Sequence, residues 1–381
     1  PYPIETILRR RFGDCKDKSL LLTTMLRNLG FNAFPALVST DYRAAIKDWL
    51  PSPYAFDHLV VFLEWEGKEY WLDPTRSHQR GSLENLFFPD LGFSLVIRPG
   101  ETGLTEITPR GYDLCSTEVL EEYFVPDYSG AATLKVKTIY RGLDADIIRS
   151  EIASSSKTKM ARGYVNFYAE RHDKVESTAS LDIVDDEESN VITVKEAYSI
   201  PEIWAAETDD SERLTVEFPS EYVVGEIMIP STKNRTMPYA IPVPEDIRHD
   251  IKIRMPTAMA EEDSELNILD DAFSFQFFEK FSGKLTHLRD AYKTLDDQVS
   301  PERIEDYLRN ARRAENNTNY ELWITRDLYE GNVSSTSVET PFLINWSIVA
   351  VVCFSLIVSA FISRRIYRWD PEPLSPPGNL D

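Results

Sequence analysis

Cys15 is the residue of this chain with the clearest potential for chemistry. It directly follows Gly13 and Asp14 and opens the segment 15–29, whose apolar residues recur at helical spacing until Gly30. Gly13 or Asp14 would cap such a helix and place the thiol in its first turn. The positive end of the helix dipole stabilises a thiolate there, and a thiolate is a nucleophile. A buried structural cysteine is the alternative interpretation.

His58 and Asp73 lie on two strand-like runs that are joined by a short turn. If residues 66–67 form a two-residue hairpin turn, Trp65 pairs with Lys68 across the hairpin. Asp73 then lies diagonally across from His58 on the same face of the sheet, within reach of its side chain. A carboxylate at that position would hold one imidazole tautomer and leave the other ring nitrogen free to take a proton from a thiol. A one-residue change in the turn would put the two side chains on opposite faces.

The composition describes a large, acidic and folded protein. The chain has 381 residues, with 63 acidic side chains against 41 basic ones and a net charge of −22. This charge argues against a nucleic-acid partner, because binding to phosphates depends on Lys and Arg. The three cysteines, Cys15, Cys115 and Cys353, are too far apart in the sequence for a CxxC pair or a disulfide framework. The histidines show no metal-ligand spacing, so no metal site and no cofactor are predicted.

Two folded regions and a C-terminal tail are expected. Residues 1–108 mix helical and strand patterns, which indicates an α+β core. Residues 109–332 are dominated by strand-like alternation between polar turns, which predicts an antiparallel β-sandwich with one helical stretch near 301–314. A short polar stalk, 333–341, follows. The predicted fold class is therefore α+β, with a β-sandwich after the core and one transmembrane helix at the end.

The segment 342–362 has the composition of a membrane span. It carries no charge, is long enough to cross a bilayer as a helix, and is followed by three arginines within 363–381. Basic residues mark the cytoplasmic end of a span. We therefore expect a single-pass membrane protein with most of the chain outside the cytoplasm (periplasmic) and a short cytoplasmic tail, 363–381. A C-terminal tail anchor is the alternative. The chain starts at Pro1 without a signal peptide, so an N-terminally truncated piece is expected.

Three sequence blocks, in this order, resemble the transglutaminase-like superfamily. They are Arg-Phe-Gly-Asp-Cys-Lys-Asp-Lys at 11–18, Phe-Asp-His at 56–58 and Tyr-Trp-Leu-Asp-Pro-Thr at 70–75. With Pro-Ser-Pro at 51–53, they are most similar to a bacterial branch in which a papain-like core is flanked by β-sandwich domains. The resemblance implies that residues 1–108 form this core with its N-terminal part missing. Family cores normally have helices and a second oxyanion contributor before the cysteine block, whereas only fourteen residues precede Cys15 here. The resemblance therefore leaves two expectations open, an active enzyme or an inactive fragment of one.

The resemblance implies a role for each of the three site residues. Cys15 would be the nucleophile, His58 its general base and acid, and Asp73 the carboxylate that orients the imidazole. The implied reaction on protein or peptide amides is acyl transfer through a thioester on Cys15, which an amine or water then resolves. A cysteine peptidase or amidase that uses water is the first alternative, and an inactive membrane-anchored binding module is the second. The sequence gives no oligomeric state.

Overall fold

The computed structural model describes residues 1–172, 174–206, 212–259 and 261–331. These residues divide into two compact units, Pro1–Leu114 and a second unit that begins at Cys115. The sequence patterns predict this boundary a few residues earlier, after residue 108.

The first unit is a five-stranded antiparallel sheet with a helix packed on one face. Its elements are α1 (Ile4–Arg10), α2 (Cys15–Asn28), β1 (Asn32–Val38), β2 (His58–Trp65), β3 (Lys68–Leu72), β4 (Phe93–Val96) and β5 (Thr105–Glu106), with short 3₁₀ helices at Arg43–Asp48, Pro53–Ala55 and Tyr112–Leu114. The strand order is β3-β2-β1-β4-β5. Leu22 of α2 packs with Val61 and Leu63. Phe62 and Trp71 belong to a separate core on the other face, because successive side chains of a strand alternate.

Helix α2 begins at the predicted residue and ends within one residue of the predicted end. Its N-cap is Asp14, whose carboxylate accepts hydrogen bonds from the backbone N–H groups of Lys16 and Asp17 at 2.9 and 3.0 Å. Gly30 follows the last turn with a φ of +89°, a conformation that side chains disfavour. Cys15 is therefore the first residue of a well-capped helix.

The β2–β3 hairpin has the predicted register. Trp65 pairs with Lys68, and the two turn residues between them, Glu66 and Gly67, both have positive φ. Positive φ at both positions is the geometry of a type I′ turn, whose twist matches that of the flanking strands. The turn therefore fixes which residues of β3 share a face with His58.

The second unit is built around a nine-stranded sheet. Its helices are α3 (Leu143–Ser154), α4 (Lys157–Ala169), α5 (Glu221–Val224), α6 (Ile304–Glu315) and α7 (Arg326–Tyr329), with a 3₁₀ helix at Pro301–Arg303. Its strands are β6 (Ser116–Phe124), β7 (Ala132–Arg141), β8 (Glu176–Ser177), β9 (Asp182–Asp186), β10 (Val191–Ile200), β11 (Ala205–Ala206), β12 (Arg213–Pro219), β13 (Tyr239–Ala240), β14 (Asp246–Arg254), β15 (Ser264–Leu269), β16 (Phe273–Ser282), β17 (Leu285–Thr294), β18 (Gln298–Val299) and β19 (Asn319–Thr325). The large sheet has the order β15-β16-β17-β14-β6-β7-β10-β8, with β9 paired to β10. Smaller sheets are formed by β11-β12-β19 and by β13-β18.

Two large apolar clusters hold this unit together. The first joins the large sheet to the three-stranded sheet and includes Leu134 and Phe218. The second packs α6 against the large sheet, where the rings of Tyr307 and Phe273 meet edge to face at 5.6 Å between centroids. Burial of large side chains such as these is the main term that stabilises a fold.

The predicted antiparallel β-sandwich is wrong. The second unit is β-rich with several sheets of different size, and the largest of these is mixed, because β6 and β14 run parallel with Thr117 level with Ile247. Alternation in a sequence indicates strands but does not indicate their partners, and a parallel pair requires a long crossover connection. Helices α3 and α4 also interrupt a region that the alternation predicts to be strand.

The predicted transmembrane helix is corrected as well. No helix in the part of the chain that the structure describes is long and apolar enough to cross a bilayer. The predicted span at 342–362, the stalk at 333–341 and the tail at 363–381 lie outside the described residues. The finding also contradicts the predicted single-pass localisation, whereas the membrane partner stays a prediction. The hydropathy of a segment measures its composition and does not itself establish a helix.

Candidate functional site

The Cys15 thiol lies at the N-terminus of α2, beside the first residue of β2. The buried hydroxyl of Ser19, one turn further along α2, donates a hydrogen bond to the Leu59 carbonyl at 2.7 Å. This bond ties the start of the helix to the start of the strand, and the Cys15 thiol is hydrogen-bonded to His58. The two elements therefore bring together the first two residues of the predicted site.

The surroundings of Cys15 favour its thiolate form. The hydrogen bond with His58 is the largest influence and lowers the pKa of the thiol, although burial opposes it. A hydrogen bond from the Leu59 backbone and the charge of Lys16 lower this pKa further. Cys15 is only partly buried, in contrast to the buried Cys115.

Asp73 holds the His58 ring on its other side. Nε2 of His58 and Oδ2 of Asp73 are 3.0 Å apart, and only 12% and 13% of the two side chains are exposed. The second carboxylate oxygen accepts hydrogen bonds from the N–H and the hydroxyl of Thr75 at 2.9 and 2.6 Å. Burial alone would raise the pKa of Asp73, but the bonds from His58 and Thr75 outweigh burial and hold it below its ordinary value. Asp73 is therefore an ionised acceptor.

Cys15, His58 and Asp73 form one chain of hydrogen bonds. Because Asp73 contacts Nε2, the Nδ1 nitrogen is left for the thiol. Burial alone would lower the pKa of His58, yet the bonds to Asp73 and Cys15 outweigh burial and raise it to about 10. A base with a raised pKa next to a thiol with a lowered pKa favours an imidazolium–thiolate pair at neutral pH. Such a pair can supply both a nucleophile and a proton for a leaving group.

The residues around the start of α2 are closely packed. A Cβ atom on Gly13 would lie 2.5 Å from the Cβ of Asp17, so that no side chain fits at this position. Asp17 is only 4% exposed, and its carboxylate accepts a hydrogen bond from the Tyr2 N–H at 2.7 Å. The N-terminal segment is thus fixed to the same helical turn that carries Cys15.

Ser19 and Thr75 support the site and were not predicted from the sequence. A local signal existed for Thr75, because in an Asp-Pro-Thr turn the Asp side chain commonly accepts a bond from the backbone two residues later. No local signal existed for Ser19, whose acceptor Leu59 is 40 residues away in the chain. The contact that ties the helix to the strand is therefore a purely tertiary one.

Cys115 and His249, both in the second unit, are buried. The Cys115 sulfur accepts a hydrogen bond from the Leu143 N–H at 3.3 Å. His249 lies between Ser220, 2.9 Å from Nδ1, and Glu121, 3.4 Å from Nε2. Ser220, His249 and Glu121 are each only 0–1% exposed, so no substrate reaches them. Their arrangement is part of the interior of the second unit.

In the described ranges, no three His, Cys, Asp or Glu residues are grouped so that they could hold a metal ion.

The comparisons with known proteins leave the family of this chain unassigned. No family model matches the chain, and no curated protein matches it. A crystal structure described as a "putative protease" from Parabacteroides distasonis is similar at 12% identity with a TM-score of 0.44, over 84% of this chain and 46% of that one. The chain thus spans about half the length of that protein. A likeness at this TM-score carries no assignment of fold or function.

Proposed function

We propose that the first unit carries a thiol-dependent acyl-transfer site of the transglutaminase-like type, which acts on protein or peptide amides. Cys15 is the nucleophile, His58 is the general base and acid, and Asp73 orients the imidazole. The observation that supports this proposal is the continuous hydrogen-bonded chain from the half-buried thiol through His58 to Asp73, 3.0 Å away. The sequence resemblance described above also supports this proposal.

In the first half of the reaction, the Cys15 thiolate attacks the amide carbonyl carbon and forms a C–S bond. The C–N bond then breaks as the His58 imidazolium donates its proton to the leaving amine, which leaves a thioester on Cys15 and a neutral imidazole. In the second half, an amine or water attacks the thioester, His58 accepts its proton, and the C–S bond breaks to regenerate the thiolate.

Two features of the local structure assist these steps. The Cys15 N–H is one of the first amides of α2, which have no acceptor within the helix, and it can donate to the oxyanion of the tetrahedral intermediate. Asp73 accepts the Nε2–H of His58 and so keeps the tautomer whose Nδ1 is free to take the proton of the thiol. Asp73 also stabilises the imidazolium, whose Nδ1–H then faces Cys15 and is the proton given to the leaving amine.

The experiment incubates the intact protein with a glutamine-containing peptide and hydroxylamine and measures hydroxamate and released ammonia. Formation of hydroxamate that is lost in Cys15→Ala and kept in Cys115→Ala supports acyl transfer. Release of ammonia or peptide cleavage without hydroxamate, with the same dependence on Cys15, identifies water as the acceptor and makes the site an amidase or peptidase.

The proposal is overturned if neither product forms while Cys15 remains free and alkylatable, or if Cys15→Ala retains the activity. In that case the first unit is an inactive binding module. Thermal unfolding of the two cysteine variants checks that both are folded before their activities are compared.

A further inference from the structure

The central strands of the large sheet carry a cationic groove on their outward face. Strands β7, β6, β14 and β17 lie side by side, and their outward side chains enclose a cavity of about 260 Å³. Its lining includes four cations, Lys137, Arg248, Lys252 and Arg289, and two carboxylates, Glu118 and Asp250. An excess of positive charge at one place is unusual in a chain with a net charge of −22.

Both carboxylates of the groove are already neutralised. Asp250 contacts His287 and Arg289, each at 2.7 Å, and Arg248 at 3.2 Å. Glu118 contacts Arg248 at 2.5 Å and a further arginine at the edge of the groove at 2.7 Å. These contacts hold the two groove arginines in place and neutralise both carboxylates of the lining. A further carboxylate, on exposed Glu122, is level with Lys252 on the neighbouring strand but lies outside the lining.

Lys137 and Lys252 are the cations that remain available to a ligand. Neither forms an ion pair with any residue that the structure describes. Lys137 of β7, Leu120 of β6 and Asp250 of β14 are level with one another across three neighbouring strands. Lys252 lies two residues after Asp250 on β14. From the spacing of strands, the two lysine backbones are about 12 Å apart.

The groove between the two lysines has an apolar floor. Leu120 and Ile139 lie in it together with the charged residues. Such a floor suits the methylene groups of an acidic side chain, while its carboxylate meets an ammonium group. In an extended peptide, side chains four residues apart lie on one side and about 13 Å apart, which matches the separation of the lysines.

We propose that this groove binds an extended acidic peptide segment, with Glu or Asp side chains at alternate positions. Its acidic side chains contact Lys137 and Lys252, and their aliphatic parts cover Leu120 and Ile139. Charge complementarity with the two lysines is the main source of recognition, so binding is weak, fast and dependent on salt. The proposal concerns the second unit and does not depend on the chemistry of Cys15.

The experiment measures fluorescence anisotropy of a labelled peptide in which Glu alternates with Ala, titrated with the intact protein at low salt. We expect saturable binding that weakens with added salt and is absent for the peptide with Gln in place of Glu. Lys137→Gln and Lys252→Gln each weaken binding by about fivefold, the upper range for one exposed ion pair. Cys15→Ala binds like the wild type.

The matched control is Lys293→Gln, which removes one positive charge from β17 outside the groove, where Lys293 pairs with Asp246 at 2.7 Å. This variant keeps the affinity of the wild type. The proposal is overturned if the alternating peptide does not bind at low salt, or if Lys293→Gln weakens binding as much as Lys137→Gln. It is also overturned if an oligonucleotide or an anionic lipid vesicle binds through Lys137 and Lys252 and the peptide does not.

Discussion

His58 Nε2 and Asp73 Oδ2 lie 3.0 Å apart across the β2–β3 hairpin, on residues that are not directly opposite each other. The contact is diagonal, and it exists because a two-residue turn sets the register of the two strands. It is the link on which the proposed chemistry depends, since it decides which ring nitrogen of His58 is left for Cys15.

The first prediction concerns the reactivity of Cys15. Because its pKa is lowered by His58, Cys15 should be alkylated by iodoacetamide well below pH 8. Buried Cys115 serves as the control within the same chain and should react slowly at every pH. Asp73→Asn removes the charge that supports the imidazolium, so the pH midpoint of Cys15 labelling should rise. Mass spectrometry of the labelled peptides measures the labelling rates of Cys15 and Cys115 and the pH midpoint in Asp73→Asn. Equal, slow labelling of the two cysteines would contradict the prediction.

The second prediction concerns stability and pH. The pKa of His58 rises from 6.5 to about 10 on folding, so folding favours the protonated ring. The stabilisation is complete below the unfolded pKa and is lost as the pH rises through about 10. The difference in Tm between the wild type and His58→Gln should therefore narrow towards pH 10. A difference that stays constant from pH 6 to pH 10 would rule out this linkage.

The third prediction concerns Gly13. Gly13→Ala places a Cβ 2.5 Å from the Cβ of Asp17, and the start of α2 must shift to accommodate it. Overpacking of this kind typically destabilises a protein by about 1–3 kcal/mol. Gly103→Ala is the matched control, because a Cβ at that position meets nothing within 4 Å. Urea unfolding of both variants gives the comparison, and equal stabilities would show that the helix start is not tightly packed.

The fourth prediction concerns Arg171 in the second unit. Its side chain is 7% exposed and lies 2.8 Å from Glu221 and 3.9 Å from Glu121. Arg171→Met leaves the buried carboxylate of Glu121 and the partly buried carboxylate of Glu221 without this cation, which should cost about 3–5 kcal/mol of unfolding free energy. Arg162→Met removes an exposed arginine of α4 and should change stability by less than about 0.5 kcal/mol. Denaturant unfolding measures the unfolding free energy of the two variants, and similar losses of unfolding free energy would contradict the prediction.

Much of the local structure near the candidate site could be predicted from the sequence. The first turn of α2 follows from Asp14 before an amphipathic segment, and the end of the helix follows from Gly30. The register of the β2–β3 hairpin follows from the Glu66-Gly67 turn. These features depend on residues that are close in the chain, so propensity and periodicity are enough to predict them.

Other features of the chain depended on contacts between distant residues. The sequence of β6 contains nothing that selects β14 as its parallel neighbour, and helices α3 and α4 were hidden in a region of strand-like alternation. The sequence around His249 gave no sign that the residue is buried between Ser220 and Glu121. Pairing and burial of this kind are decided by packing over the whole unit, which local patterns do not report.

The sequence by itself therefore determined the type and spacing of Cys15, His58 and Asp73. It also determined the hairpin that places His58 and Asp73 on the same face of the sheet. Only the tertiary structure decided that the thiol meets the ring, because the bond between Ser19 and Leu59 spans 40 residues. It also decided that Lys137 and Lys252 flank one groove, since they lie on strands brought together by the parallel pairing of β6 with β14. Local rules fix conformation, whereas proximity between distant residues follows from the packing of the complete chain.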